Sequence, residues 1–353
     1  MSDLARPETV RPEHPPSLPN LKRRLSSLSS FWQGWGQLIL GALFSLAVII
    51  WLAANLDLQQ VVKTLRQVDY LWVGLGALAV VLTLAAKAMR WLALLHSDRV
   101  STGATFKALI LGVLLNQVFP ARLGDLGRCY LIAQAGYPSK SQALGTIALE
   151  KLLDILVVVG LALGLSFWQP LPAWVSLPAR LVALGGGLAL LSSFTLLALR
   201  PRLELAGARR WPGSRGIRWL GQLAGRLLDG LAGLQRPRLM LAAGGWSLLA
   251  WLFGAVTNLA LLQAFGLPAS PGIALLLLVV LQLGVALPSL PGRVGVFEGL
   301  AILTLALFGV EPGPALGYGV LLHAVVLLPP VGLGLGWLLR LDAASRRMLW
   351  RLS

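Results

Sequence analysis

Long apolar runs separated by short polar breaks organise this chain from Gln37 onward. Gln37–Ala54, Leu71 to about Leu95, Ser141–Phe167, Leu181–Leu199, Leu239 to about Gln263 and Ala315–Leu339 reach or approach the roughly 20 residues that carry a helix across about 30 Å of hydrocarbon. Two further runs, Thr105–Phe119 and Ile273–Leu287, are too short to cross comfortably and end in proline and glycine. A backbone in lipid must satisfy its own hydrogen bonds, so the pattern predicts an all-α, polytopic integral membrane protein.

Charges between the runs set the direction of each crossing. Lys22, Arg23 and Arg24 precede the first run, nine arginines lie between Arg200 and Arg238, and Arg340, Arg346, Arg347 and Arg351 follow the last. By the positive-inside rule these segments are cytoplasmic, as are both termini, and the localisation predicted is a multi-pass protein of the cytoplasmic (inner) membrane. The uncharged "WQPLPAWVSLP" and "AFGLPASPG" suit the external interface. Within the basic segment, "IRWLGQLAGRLLDGLAGL" has leucines at helical spacing and is expected along the inner interface. Lys87 and Arg90 stand near the cytoplasmic end of their run, where long side chains snorkel, and are expected to be anchors.

Both flanks of Thr105–Phe119 are basic, which predicts a re-entrant hairpin dipping in from the cytoplasm; the hairpin begun by Ile273–Leu287 has Glu311 as the only charge in the segment after it and would dip in from outside. The result is about six spans and two hairpins, ordered span, span, hairpin, span, twice over. Three crossings per half is odd, so the second half is inverted. Pro120, Arg122 and Gly124 match Pro291, Arg293 and Gly295 at an offset of 171, and "ALG" at Ala143 recurs at Ala315 at an offset of 172. The repeats cover about 36–168 and 180–339; eight plain spans is the alternative. Residues 1–30, polar and proline-rich, are expected to be a disordered cytoplasmic tail, 31–341 the membrane domain, and 342–353 a second cytoplasmic tail.

Composition agrees: 56% of the 353 residues are hydrophobic, 12% are charged, and mean hydropathy is +0.75. The net charge of +16 would suggest nucleic acid in a soluble protein, but the arginines cluster between apolar runs, so it reports topology and no nucleic-acid partner is expected. Cys129 is the lone cysteine and His14, His96 and His323 are the only histidines, which argues against a metal site, and no cofactor is expected. No "GxxxxGK[ST]" is present, so any driving force is an ion gradient or simple equilibration.

The chemistry concentrates at the short runs. In "NQVFPARLGDLGR", a turn near Pro120 starts a new half-helix whose bare N–H groups and positive dipole end form an anion site in waiting. Arg122 adds a planar fork suited to phosphate or carboxylate, and Asp125 and Arg128 follow at steps of three. "LPSLPGRVGVFEG" offers Arg293 and Glu298, with Pro288, Pro291, Gly292 and Gly295 shaping its hairpin as Pro120 and Gly124 shape the first. Glu150 and Asp154 form an i, i+4 pair within a span, with Arg122 or Arg293 as candidate partners and Lys151 as the neighbour that could simply neutralise Glu150. His323 falls beside the place in the repeat that Glu150 occupies, a hint of proton or headgroup chemistry or else a helix-to-helix hydrogen bond.

These three ordered motifs, "NQVFPARLGDLGR", "EKLLD" and "LPSLPGRVGVFEG", resemble the flippase-like membrane region of the lysylphosphatidylglycerol synthase family over roughly Phe31 to Leu341. The resemblance implies a module that moves a lipid headgroup between leaflets, with Asn116, Arg122, Asp125, Arg128, Glu150, Asp154, Arg293 and Glu298 lining the path. Two positions depart from the pattern: the usual Gly-Glu is Gly124-Asp125, and a common glycine is Arg293. The extra arginine suggests a more anionic substrate or a compensation for the shorter acid. The soluble aminoacyltransferase domain of well-known members is not expected in this chain. The function expected is therefore translocation of an anionic phospholipid, glycolipid or polyprenyl-phosphate headgroup. The alternatives are a lipid-modifying enzyme using Glu150 and Asp154, or a membrane partner of a separate glycosyl- or aminoacyltransferase. A shared cavity reached by both Arg122 and Arg293 is the geometric expectation.

Overall fold

The computed structural model describes residues 65–118, 123–168, 171–210, 225–284 and 293–340. Within them the chain is helical and contains no strand: α1 (Tyr70–Leu95), α2 (Thr102–Val118), α3 (Leu123–Gln134), α4 (Lys140–Trp168), α5 (Ala173–Arg210), a 3₁₀ turn (Ala232–Gln235), α6 (Pro237–Ala264), α7 (Pro271–Gly284), α8 (Val296–Ala306) and α9 (Pro312–Arg340). Among the described residues four helices are long and apolar enough to cross a membrane, over Tyr70–Leu95, Ala173–Leu199, Pro237–Ala264 and Pro312–Trp337. The expected span Gln37–Ala54, both tails, most of the short amphipathic piece expected over Asp57–Gln67, and Pro120, Arg122, Pro288, Pro291 and Gly292 lie outside the described residues.

Local chemistry sets several helix ends. Asp69 caps α1 by accepting from the Leu71 N–H at 2.9 Å, and His96 closes it in the left-handed region at φ 44° while its N–H reaches the Leu92 carbonyl. Pro237 opens α6, where a missing N–H costs nothing. Two boundaries differ from expectation. α5 begins at Ala173, inside the tryptophan-rich segment expected to be an external loop, and runs past Leu199 to Arg210. Hydropathy marks where an apolar run ends, not where backbone hydrogen bonding stops, and Leu, Ala, Glu and Arg all favour helix.

α1 and α6 form the central antiparallel pair. The Asp69 N–H donates to the Ala264 carbonyl, Thr257 reaches the Gly76 carbonyl, Thr83 the Ala250 carbonyl, and Arg90 Ser247. α2 and α3 pack together near the His96 end of α1, where Leu95, Ala108, Cys129, Ile132 and Ala143 share one core. α7 and α8 pack together toward the other end, where Leu261, Ala274, Leu305 and Ala315 share another. α5 leans chiefly on α4 and leaves Leu181, Leu184, Leu188 and Leu191 exposed, a stripe that in a bilayer meets lipid. Below α4, Gly145 and Gly230 let two backbones touch. Beside them Tyr137 is buried in the α3–α4 loop, and that burial, with the Asp229 carboxylate second, pushes its phenol up to about 12, so it stays neutral.

A buried ionic cluster as the candidate functional site

Two glycines bring the first charged motif together. Gly124 sits so close to Gly112 that an added Cβ would fall on the Gly112 carbonyl and on the Asn116 side chain. That approach lets Asn116 on α2 donate its Nδ2 to Asp125 Oδ1 on α3 at 3.3 Å. Asn116 Oδ1 is buried without a hydrogen-bond partner.

One turn along α3, Arg128 is buried and grips Glu150 with both guanidinium ends, Nη1 to Oε2 and Nη2 to Oε1, each at 3.2 Å. Its Nε lies 3.4 Å from Asp125 Oδ1, and its guanidinium stands 4.9 Å from the centroid of the Trp91 ring. Trp91 is itself held by an indole N–H to Thr146 at 3.1 Å. Arg128 therefore does not snorkel: its planar fork is used on carboxylates inside the protein.

Arg90 is the main correction to the sequence reading. Expected to be an anchor, it is fully buried; its Nη1 donates to Asp154 Oδ1 at 2.6 Å and to Ser247 at 3.2 Å, while Nη2 stands 3.2 Å from Glu150 Oε1. Arg90 lies only five residues before the end of α1, about 7.5 Å along the axis, a depth at which an arginine can either reach the interface or stay inside. Packing against α4 and α6 decides for the inside. Arg122 or Arg293 was the expected partner of Glu150 and Asp154; among the described residues Arg90 and Arg128 hold that place.

Lys151 completes the cluster loosely, 3.9 Å from Glu150 and 4.0 Å from Asp125, with 40% of its side chain exposed. Lys87 lies within electrostatic reach of Asp154, Arg90, Lys151 and Glu150. Arg90, Arg128 and Lys151 thus face three carboxylates across α1, α3 and α4, with Lys87 nearby. An aspartate at the centre of a span costs roughly 2.5–3.5 kcal/mol on insertion scales, and mutual pairing is what makes this set tolerable.

The second motif is built differently. Arg293 occupies the left-handed region at φ 60° and Gly295 lies at φ 88°, so the chain turns sharply into α8. Glu298, at the third position of α8, accepts the Gly295 N–H on Oε2 at 2.7 Å, half of a capping box. Its Oε1 stands 2.6 Å from His323 Nδ1 on α9, and the imidazole stacks on Phe297 at 4.7 Å between ring centroids. Gly319, one turn before His323, admits the α8 backbone: a Cβ there would press on Glu298 Cα. Glu298 lies one turn on from the hairpin glycines and His323 next to the Glu150 place in the repeat, but nothing along the chain pairs the two.

A family model described as the lysylphosphatidylglycerol synthase TM region matches residues 38–334. The chain belongs to this family. Its apolar helices and that membership make it a membrane-embedded, multi-pass protein. Among curated proteins the chain is similar to one described as glycosyltransferase AglD, from Haloferax volcanii, at 26% identity over 342 residues, covering 87% of this chain and 55% of that protein. The chain spans about half the length of the curated relative it matches. No solved structure matches it.

Proposed function

We propose that this protein moves a lipid with an anionic headgroup between the leaflets of the cytoplasmic membrane. The observation that carries the reading is the ionic cluster in which buried Arg90, Arg128 and Glu150 meet the partly buried Asp125, Asp154 and Lys151. Intramembrane charges are expensive and mark a pathway or a pair. The partly exposed Lys151 at its edge suits a phosphate. α2–α3 and α7–α8 are the two re-entrant hairpins of an inverted repeat with six spans, and such interrupted segments frame the midplane site of transporters. Asn116, Arg122, Asp125, Arg128, Glu150, Asp154, Arg293 and Glu298 line the path, and Arg122 and Arg293 meet the headgroup from opposite sides.

The test is headgroup-labelled lipid in proteoliposomes. Arg122→Ala and Arg293→Ala fold normally and lose lipid movement; wild-type rates in both variants overturn the assignment. A second reading is that the chain serves as the membrane partner of a separate transferase. It is favoured by a relative that is described as a glycosyltransferase and that is nearly twice the length of the match. In that case the motif variants behave as wild type, while changes in the basic Arg200–Arg238 segment abolish partner binding. Acid–base catalysis by Glu150 and Asp154 fits less well, because both carboxylates are engaged by arginine forks.

A further inference from the structure

Glu298 and His323 form a buried titratable pair of a kind the first cluster lacks. Their side chains are 8% and 13% exposed, and Oε1 and Nδ1 stand 2.6 Å apart. The other carboxylate oxygen is committed to the Gly295 N–H, so the carboxylate is held as an acceptor. When Nδ1 donates to Oε1 from a neutral ring, the pair carries one negative charge and Nε2 has a lone pair to spare. Adding one proton at Nε2 gives an imidazolium–carboxylate pair with no net charge.

Few other charges compete for this pair. α9 packs against α8, α2, α1 and α6. On α8 the facing acid is Glu298, and Arg293 lies just before that helix. On α1, Arg90 is committed to Asp154 and Glu150, and Lys87 belongs to the same cluster. Lys107 is six residues into α2, and Arg238 is the second residue of α6. α9 itself carries Tyr318, whose hydroxyl lies 3.5 Å from Asn258, and the terminal Arg340.

We infer that the Glu298–His323 pair is a proton-binding site thermodynamically linked to the anionic headgroup. An unprotonated pair adds one negative charge at the mouth of α8, near Arg293, and so weakens the attraction for an anion there; a protonated pair does not. Linkage is reciprocal, so proton uptake strengthens anion binding and anion binding draws in a proton. The translocation reading supplies the identity of the anion, and the inference names H⁺ as the coupling ion moving with it.

The probe is phosphatidylglycerol added to the full-length protein in an uncharged detergent, with a pH indicator dye reading proton uptake. Wild type takes up a substantial fraction of one proton per chain and binds the lipid about fivefold or more tightly at pH 6 than at pH 8. His323→Gln still binds the lipid, without proton uptake and without the pH dependence, and Glu298→Gln likewise takes up no proton on lipid addition. Full uptake in His323→Gln, or pH-independent binding by the wild type, overturns the inference. Should both variants misfold, histidine ¹⁵N NMR of the wild type decides. The chain has three histidines, and His14→Gln and His96→Gln identify the other two signals. A His323 signal that does not change its protonation on lipid addition overturns the inference. Because these readouts need no transport, an absence of lipid movement in vesicles would defeat the translocation reading and leave the linkage standing.

Discussion

Asp125 and Glu150 in the first half stand 173 positions before Glu298 and His323 in the second. The two pairs take matching places: an acid in the first turn of a short helix, and its counterpart inside the next long one. In the first half Arg128 bridges Asp125 and Glu150, and Arg90 extends the chain of charges to Asp154. In the second half the acid meets an imidazole directly. The same backbone arrangement thus carries permanent charge on one side and titratable charge on the other. Guanidinium groups stay charged at any working pH, so the first cluster acts as a fixed counter-charge, whereas the second half carries the inferred proton site.

The largest expected effect tests whether the first cluster is as rigidly committed as its geometry implies. Arg90→Ala strands Asp154 and half of Glu150 in the interior and should cost about 3–5 kcal/mol, read as a collapse of the melting temperature in detergent. A variant melting like wild type would erase the contrast between the halves.

The hairpins themselves give the next test. Gly124→Ala drives its Cβ into the Gly112 backbone, which cannot step aside, and should cost about 1–3 kcal/mol and break the Asn116–Asp125 contact. In the second hairpin, Gly284 at the end of α7 meets only the Leu300 side chain, whose tip can rotate, so Gly284→Ala should cost less than about 1 kcal/mol. Equal costs for the two, measured by denaturation in the same detergent, would show that the second hairpin is packed as tightly as the first.

Much of the architecture was legible in the chain. Hydropathy located α1, α4, α6 and α9 to within a few residues, and the proline and glycine breaks located the short helices of both motifs. Arg128, Glu150 and Asp154 stood out as charges that an apolar run does not tolerate unpaired. Arg90 did not, because its distance from the helix end allows an arginine either to snorkel or to turn inward, and nothing within α1 decides between them. Ser247 and Trp91, which complete the Arg90 and Arg128 environments, carry no signal of their own: a serine and a tryptophan in an apolar helix are ordinary. His323 was noticed by its place in the repeat, but its partner depends on how Gly319 lets α8 approach α9.

The sequence by itself determined that this is a helical membrane protein with two interrupted, charge-bearing segments, because burial in hydrocarbon and backbone hydrogen bonding are settled residue by residue along one helix. Only the tertiary structure decided which charge answers which. Arg90 and Asp154 are 64 residues apart, and Arg128 reaches across to another helix. Ion pairing in a low-dielectric interior depends on distances of a few ångströms between helices that share no local sequence, and the packing of helix on helix, not hydropathy, sets those distances.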